Sequence, residues 1–146
     1  LAFLINELNS TITSFAFDKR KVILKEIQTV PTLPVNVSGA NSCADIHIAP
    51  NGKFLYGSNR GHDSLVIYAV EQRTGEMKYV GHVSTEGKKP RNFAISPDGK
   101  TLLAANQNSD SIIVFSVNEK TGMLKQTKNN AKVSMPVCLK LIPLFA

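Results

Sequence analysis

The 146-residue sequence predicts an all-β protein of the β-propeller class, and three observations carry that prediction. Residues 44–85 repeat as residues 91–132 at a constant offset of 47, placing Pro50 on Pro97, Gly52 on Gly99, Asn59 on Asn106, Ser64 on Ser111 and Gly75 on Gly122. Within each copy, turn signals cut the chain into four short segments with period-2 alternation, the pattern of half-buried strands. No stretch of useful length has helical periodicity. Four antiparallel strands in every 40 to 50 residues is the signature of a propeller blade. A β-sandwich of about twelve strands would explain the turns, but not the repeat.

With the strands of a blade labelled A to D from the central channel outward, each element is justified in turn. The opening "FLINELNSTITSFAF" is a partial copy, with Asn6 on Asn59 and Thr11 on Ser64 at an offset of 53. Residues 1–36 are therefore a blade that starts at strand B, residues 2–6, without its innermost strand. The six extra residues fall in "TVPTLPVNVSGANS", whose Pro, Ser and Gly content suits a longer connection. The blade 43–86 opens with strand A at 44–49 and turns at "PNGK", "RGHDS" and "QRTGE". Asn-Gly suits a tight hairpin because its residues tolerate positive φ. The blade 87–133 repeats this with strand A at 91–96 and turns at "PDGK", "QNSDS" and "EKTGM". Finally "MPVCLKLIP", residues 135–143, matches a lone innermost strand. The order B-C-D, A-B-C-D, A-B-C-D, A amounts to three blades. Propellers typically close with about four to eight, so the expectation is the C-terminal part of a longer ring. The remaining blades, or a second copy, are then needed to cover the open edges.

Composition narrows the function classes. The balance of 17 Lys and Arg against 11 Asp and Glu gives a net charge of +6, which suits a small anionic substrate. Nucleic acid is not expected, because the basic residues occur singly or in short groups such as "KRK" and "GKK", without interleaved aromatics. The uncharged apolar stretches fall far short of the roughly 20 residues that span a bilayer, and the N-terminus has no basic leader, so no membrane association is expected. Cys43 and Cys138 lie far apart without metal-ligand spacing, which points to a reducing compartment, the cytoplasm. No nucleophile elbow, phosphate loop, dinucleotide fingerprint or zinc spacing is present, and no metal or cofactor is expected.

Strand direction sorts the candidate site residues. The B–C turns and D–A connections open on one face of the ring, and the A–B and C–D turns on the other. The first face carries Glu7, Arg60, His62, Arg91, Gln107 and the strand-opening Asp45 and Asn92. The residue after each repeated asparagine is Glu7, Arg60 or Gln107: an acid, a base and an amide at one geometric position. Such divergence marks inputs to a shared site around Asn59 and Asn106. Arg91, beside Pro90 and after Lys88 and Lys89, is suited to a bidentate contact with phosphate or carboxylate. His62 is a candidate proton shuttle or sugar-hydroxyl ligand. His47, two positions from Asp45 where the next blade has Ala94, reads better as a satisfied channel histidine, and His82 as structural.

The segments "ADIHIAPNGKFLYGSNRGHDS", "KPRNFAISPDGKTLLAANQNSD" and "PVCLK" resemble, over residues 2–143, the seven-bladed lactonase family of bacterial 6-phosphogluconolactonases and fungal carboxymuconate cyclases. The resemblance implies a ring in which the last strand completes the blade begun by the N-terminus. It also implies hydrolysis of a small anionic sugar lactone, or the reverse lactonisation. The catalytic residues implied are Glu7, Arg60 and His62, with Arg91, Gln107, Asp45, Asn59 and Asn106 binding substrate. A propeller that binds partners without chemistry is the alternative from another class.

Overall fold

Each copy of the repeat forms one antiparallel sheet in the computed structural model, which describes residues 1–142. The first sheet contains β1 (Ala2–Asn6), β2 (Thr11–Asp18) and β3 (Ile23–Pro31). The second runs β4 (Ser42–Ile48), β5 (Phe54–Arg60), β6 (Ser64–Val70) and β7 (Met77–Ser84). The third runs β8 (Pro90–Ile95), β9 (Thr101–Asn106), β10 (Ser111–Val117) and β11 (Leu124–Lys132). Strands neighbour one another in chain order within each sheet, and each sheet packs face to face on the next, the arrangement of propeller blades.

The core lies between the blades, and alternation decides which side chain goes to which side. In the middle blade Phe54, Tyr56, Leu65 and Ile67 face Phe93, Leu102, Ala104 and Phe115 of the third. The interleaved Leu55, Val66, Tyr68 and Val70 face Ile12 and Val30 of the first. Buried on both faces, β6 and the first half of β5 read as almost unbroken apolar runs. The outer face of the first blade has no such cover here, and Leu4 and Leu24 are exposed.

The invariant turns are structural. Gly52 and Gly99 sit at φ of 71° and 73° in the A–B hairpins. Gly75 and Gly122 sit at φ of 80° and 75° in the C–D turns. A Cβ on Gly122 would run into the Phe54 ring of the preceding blade, so that turn also needs glycine for close blade packing.

The lone strand expected at 135–143 is corrected. Residues 133–142 belong to no ladder, and Pro143 lies outside the described residues. A strand needs a partner, and β1, the B strand without an A strand, lies two blades away. Residues 139–141 nonetheless run beside β8, and the Leu139 N–H donates to Asn92 Oδ1 at 2.6 Å. That bond repeats the one between β4 and β8, where the Phe93 N–H donates to Asp45 Oδ2 at 3.1 Å.

Candidate active site

The residue after the repeated asparagine ends strand B at the B–C turn, and the D–A connection returns to the same rim. A cleft of about 340 Å³ there is lined by Ile5, Glu7, Cys43, Ala44, Arg60 and Arg91. Three blades contribute: β1 runs into Glu7, β4 and β5 supply Cys43, Ala44 and Arg60, and β8 supplies Arg91. Gly75 marks the other rim, since a Cβ there would meet Leu1, at the opposite end of β1 from Glu7. About 20 Å of strand separates the two rims.

Arg60 is the organising side chain. Its Nη2 donates to Glu7 Oε1 at 2.5 Å and to the Cys43 carbonyl at 2.9 Å. The Arg60 side chain is 15% exposed and that of Glu7 62%, so the guanidinium is the buried member of the pair. Its Nε is buried without a partner among the described residues. The Cys43 N–H donates to the Glu7 carbonyl at 2.9 Å, tying β4 to the first blade directly beneath the pair. Burial pushes the Cys43 thiol up from its ordinary value, so it is a packed group, not an activated nucleophile. Arg91 is exposed and makes no side-chain hydrogen bond or ion pair among the described residues. The cleft thus holds one restrained guanidinium and one free one, a constellation suited to an anion with two separated charged or polar ends.

Four expected site residues have other positions. Asn59 and Asn106 are fully buried. Each donates Nδ2–H to the carbonyl of a D–A connection, Asn59 to Thr32 at 2.7 Å and Asn106 to Thr85 at 2.8 Å. They are struts between blades, closed to a ligand. His62 turns from the cleft: its Nδ1 lies 2.7 Å from Ser64 Oγ and its ring centroid 5.7 Å from that of His82. Asp45 is engaged across the blade junction, where its Oδ2 accepts from Asn92 Nδ2, the Phe93 N–H and His47. Gln107 is on the expected rim, with its N–H bonded to the Lys89 carbonyl, but one blade further round and outside the cleft lining.

Sequence reasoning missed the Cys43 carbonyl, because a backbone acceptor exposed by the β4 irregularity between Cys43 and Ile46 has no side-chain signature. It also missed Thr32. Its signal was present, because the offset of 53 that aligns the first two copies places Thr32 on Thr85.

The family model described as lactonase, 7-bladed β-propeller, matches residues 1–141. The chain belongs to this lactonase family. Among curated proteins, this lactonase-family chain is 35% identical over 92 residues to the 6-phosphogluconolactonase of Bacillus subtilis, covering 63% of this chain and 26% of that protein. It is 40% identical over 96 residues to the 6-phosphogluconolactonase of Blochmanniella pennsylvanica, covering 64% and 28%. A solved Bacteroides fragilis protein assigned as a 6-phosphogluconolactonase superposes with a TM-score of 0.89 at 40% identity, covering 97% of this chain and 38% of the other. The periplasmic gluconolactonase of Pseudomonas aeruginosa superposes at 0.86 with 31% identity, covering 95% and 41%. This lactonase-family chain spans about a quarter of the length of the curated relatives it matches. Among the described residues, no helix is long and apolar enough to cross a membrane, and no cluster of His, Cys, Asp and Glu could hold a metal ion.

Proposed function

We propose that the chain works as part of a seven-bladed ring that hydrolyses a sugar-acid lactone, 6-phosphogluconolactone foremost. The convergence of Glu7, Arg60 and Arg91 from three blades on one cleft carries this reading. The names of relatives at 35–40% identity support it. Lactone opening creates negative charge on the carbonyl oxygen as water adds, and a positioned guanidinium is suited to stabilise it. Arg60 takes that role, held in place by Glu7 and the Cys43 carbonyl. Arg91, with its fork free, anchors the phosphate or carboxylate tail. Glu7 acts by orienting Arg60, because its Oε1 is already engaged by the guanidinium. The reading calls on no cofactor. The cytoplasm is the compartment proposed, and both Cys43 and Cys138 are free thiols.

Hydrolysis of 6-phosphogluconolactone by the full-length protein, followed by proton release, tests this. The expected result is turnover well above the spontaneous rate. Specific binding of the lactone or its acid without turnover would replace this reading with a propeller that binds without chemistry.

A further inference from the structure

Two guanidinium groups can grip the two ends of one substrate only if their separation is fixed, and here that separation spans two blades. Arg60 ends β5 of the middle blade, and Arg91 lies near the start of β8 of the third. Arg91 also stands outside the ladder: Pro90 pairs with Asn106 and Asn92 with Ala105, which leaves Arg91 as the extra residue of a bulge. A bulge re-aims a side chain, so the direction of this fork depends on how the chain enters β8.

Resting on the functional reading above, we propose that Asp63 is a positioning residue that sets the spacing of Arg60 and Arg91, and with it the grip on the anionic end of the substrate. A single oxygen makes the link. Asp63 Oδ1 accepts from the N–H of Gly61, the residue after Arg60, at 3.1 Å, and from the N–H of Lys89, two residues before Arg91, at 2.9 Å. The Asp63 carbonyl accepts the N–H and the hydroxyl of Thr85, both at 3.0 Å, which fastens the start of the same connection.

The connection needs this hold. Glu86 and Lys89 have φ of 53° and 58°, a left-handed backbone that such residues keep only when their surroundings fix it. From the third blade, the Gln107 and Asn108 N–H groups donate to the Lys89 and Lys88 carbonyls, each at 3.0 Å. Asp63 supplies the side-chain bond that joins Lys89 to the middle blade.

The repeat separates scaffold from specialisation at this position. It is Ser10, Asp63 and Asp110 in the three copies, at φ of 53°, 53° and 51°. Each carbonyl accepts the N–H that opens the next connection, from Thr32, Thr85 and Val133. That backbone half is common to the blades. The side-chain half differs: Ser10 Oγ accepts from Asn41 Nδ2, and Asp110 Oδ1 from the Met135 N–H. Among the described residues, Asp63 alone bonds both the turn after one cleft arginine and the connection before the other.

The test uses the full-length protein with Asp63→Gly, which removes the carboxylate and tolerates the left-handed backbone, and with Asp63→Ser, a side chain that the first blade carries at this φ. Both are checked for wild-type near-ultraviolet circular dichroism. Each should raise KM for 6-phosphogluconolactone about tenfold and leave kcat within about threefold, the split expected when binding common to ground and transition states is lost. Asp63→Asn, which keeps an acceptor oxygen and accepts positive φ, should stay within about twofold of wild type. In an Arg91→Ala background Asp63→Gly should add less than about twofold to KM, because the group it positions is gone. An unmoved KM, a loss confined to kcat, an undiminished effect without Arg91, or loss of the native fold in both variants overturns this inference and leaves the lactonase reading intact. No hydrolysis by the wild type overturns both.

Discussion

At the scale of single residues, the buried asparagines and the paired arginine have opposite consequences when changed. Asn59 and Asn106 each hold a carbonyl that has left its own sheet, so replacement by alanine strips Thr85 of its donor and leaves Thr32 with His82 Nε2 alone. The expected cost is about 1–3 kcal/mol for each in denaturant unfolding of the full-length protein, with KM unmoved if the variant is assayed folded. Arg60→Lys should be nearly silent in stability by comparison and severe in activity. A point charge on a flexible stem cannot reach both Glu7 and the Cys43 carbonyl while facing substrate. A loss of about 100-fold in kcat/KM, or roughly 2.7 kcal/mol of transition-state stabilisation, is expected. Lys53→Ala, in the hairpin on the opposite rim, should stay within twofold in the same assay. Equal, small effects of both substitutions would remove Arg60 from the site.

Between elements, the first blade junction carries a pH dependence. His82 on β7 donates Nε2–H to the Thr32 carbonyl at 2.7 Å, the same oxygen that Asn59 uses, and its Nδ1 accepts from the Tyr79 hydroxyl at 2.8 Å. Burial, with a smaller contribution from neighbouring His62, holds the His82 pKa below its ordinary 6.5, against the pull of the Thr32 carbonyl. The folded state therefore binds fewer protons than the unfolded state between that lowered value and 6.5. Stability should fall as pH drops through this window and level off below it. Thermal unfolding of the full-length protein from pH 7.5 to 5 should show the decline, and His82→Gln should flatten it. Asp45 acts lower on the scale. Burial raises its pKa, but bonds from His47 and the Phe93 N–H outweigh that and leave it below 3.8. Its contribution to the clasp between β4 and β8 is thus present above 3.8 and lost as pH falls through the lowered value.

For the whole molecule, what matters is the edges. β1 has a strand partner on one side only, and Leu1 and Leu4 beside it are about half exposed. Residues 133–142 form no ladder, and only residues 139–141 of them run beside β8. Unpaired edges beside apolar surface favour association. The 146-residue chain produced by itself is expected to associate or aggregate, and to be inactive. One closed solution is a head-to-tail dimer, in which the terminal segment of each copy pairs with β1 of the other to make a six-bladed ring. Light scattering coupled to gel filtration distinguishes these states. A sharp monomer with lactonase activity would show that three blades suffice.

The strand count within blades, the hairpin turns and the rim on which Glu7, Arg60 and Arg91 lie were legible in the sequence. Each depends on local alternation and a repeat, and these survive in one dimension. The 47-residue offset alone placed Gly75 and Gly122 in equivalent turns, and strand parity put Arg60 on the opposite rim from them. Tertiary structure decided what each polar group does once it arrives. Asn59 and Arg60 are neighbours on β5, yet one is sealed between blades and the other opens on the cleft, because alternate side chains leave a strand in opposite directions and only packing says which side is filled. Asp45 went to a blade junction because its partners, Asn92 and Phe93, come from a blade whose approach is set by interlocking cores, whereas His62 turned to Ser64 and His82 of its own blade. The pairing of Glu7 with Arg60 across 53 residues, and the engagement of Arg60 by a backbone carbonyl, depend on how one twisted sheet stacks on the next.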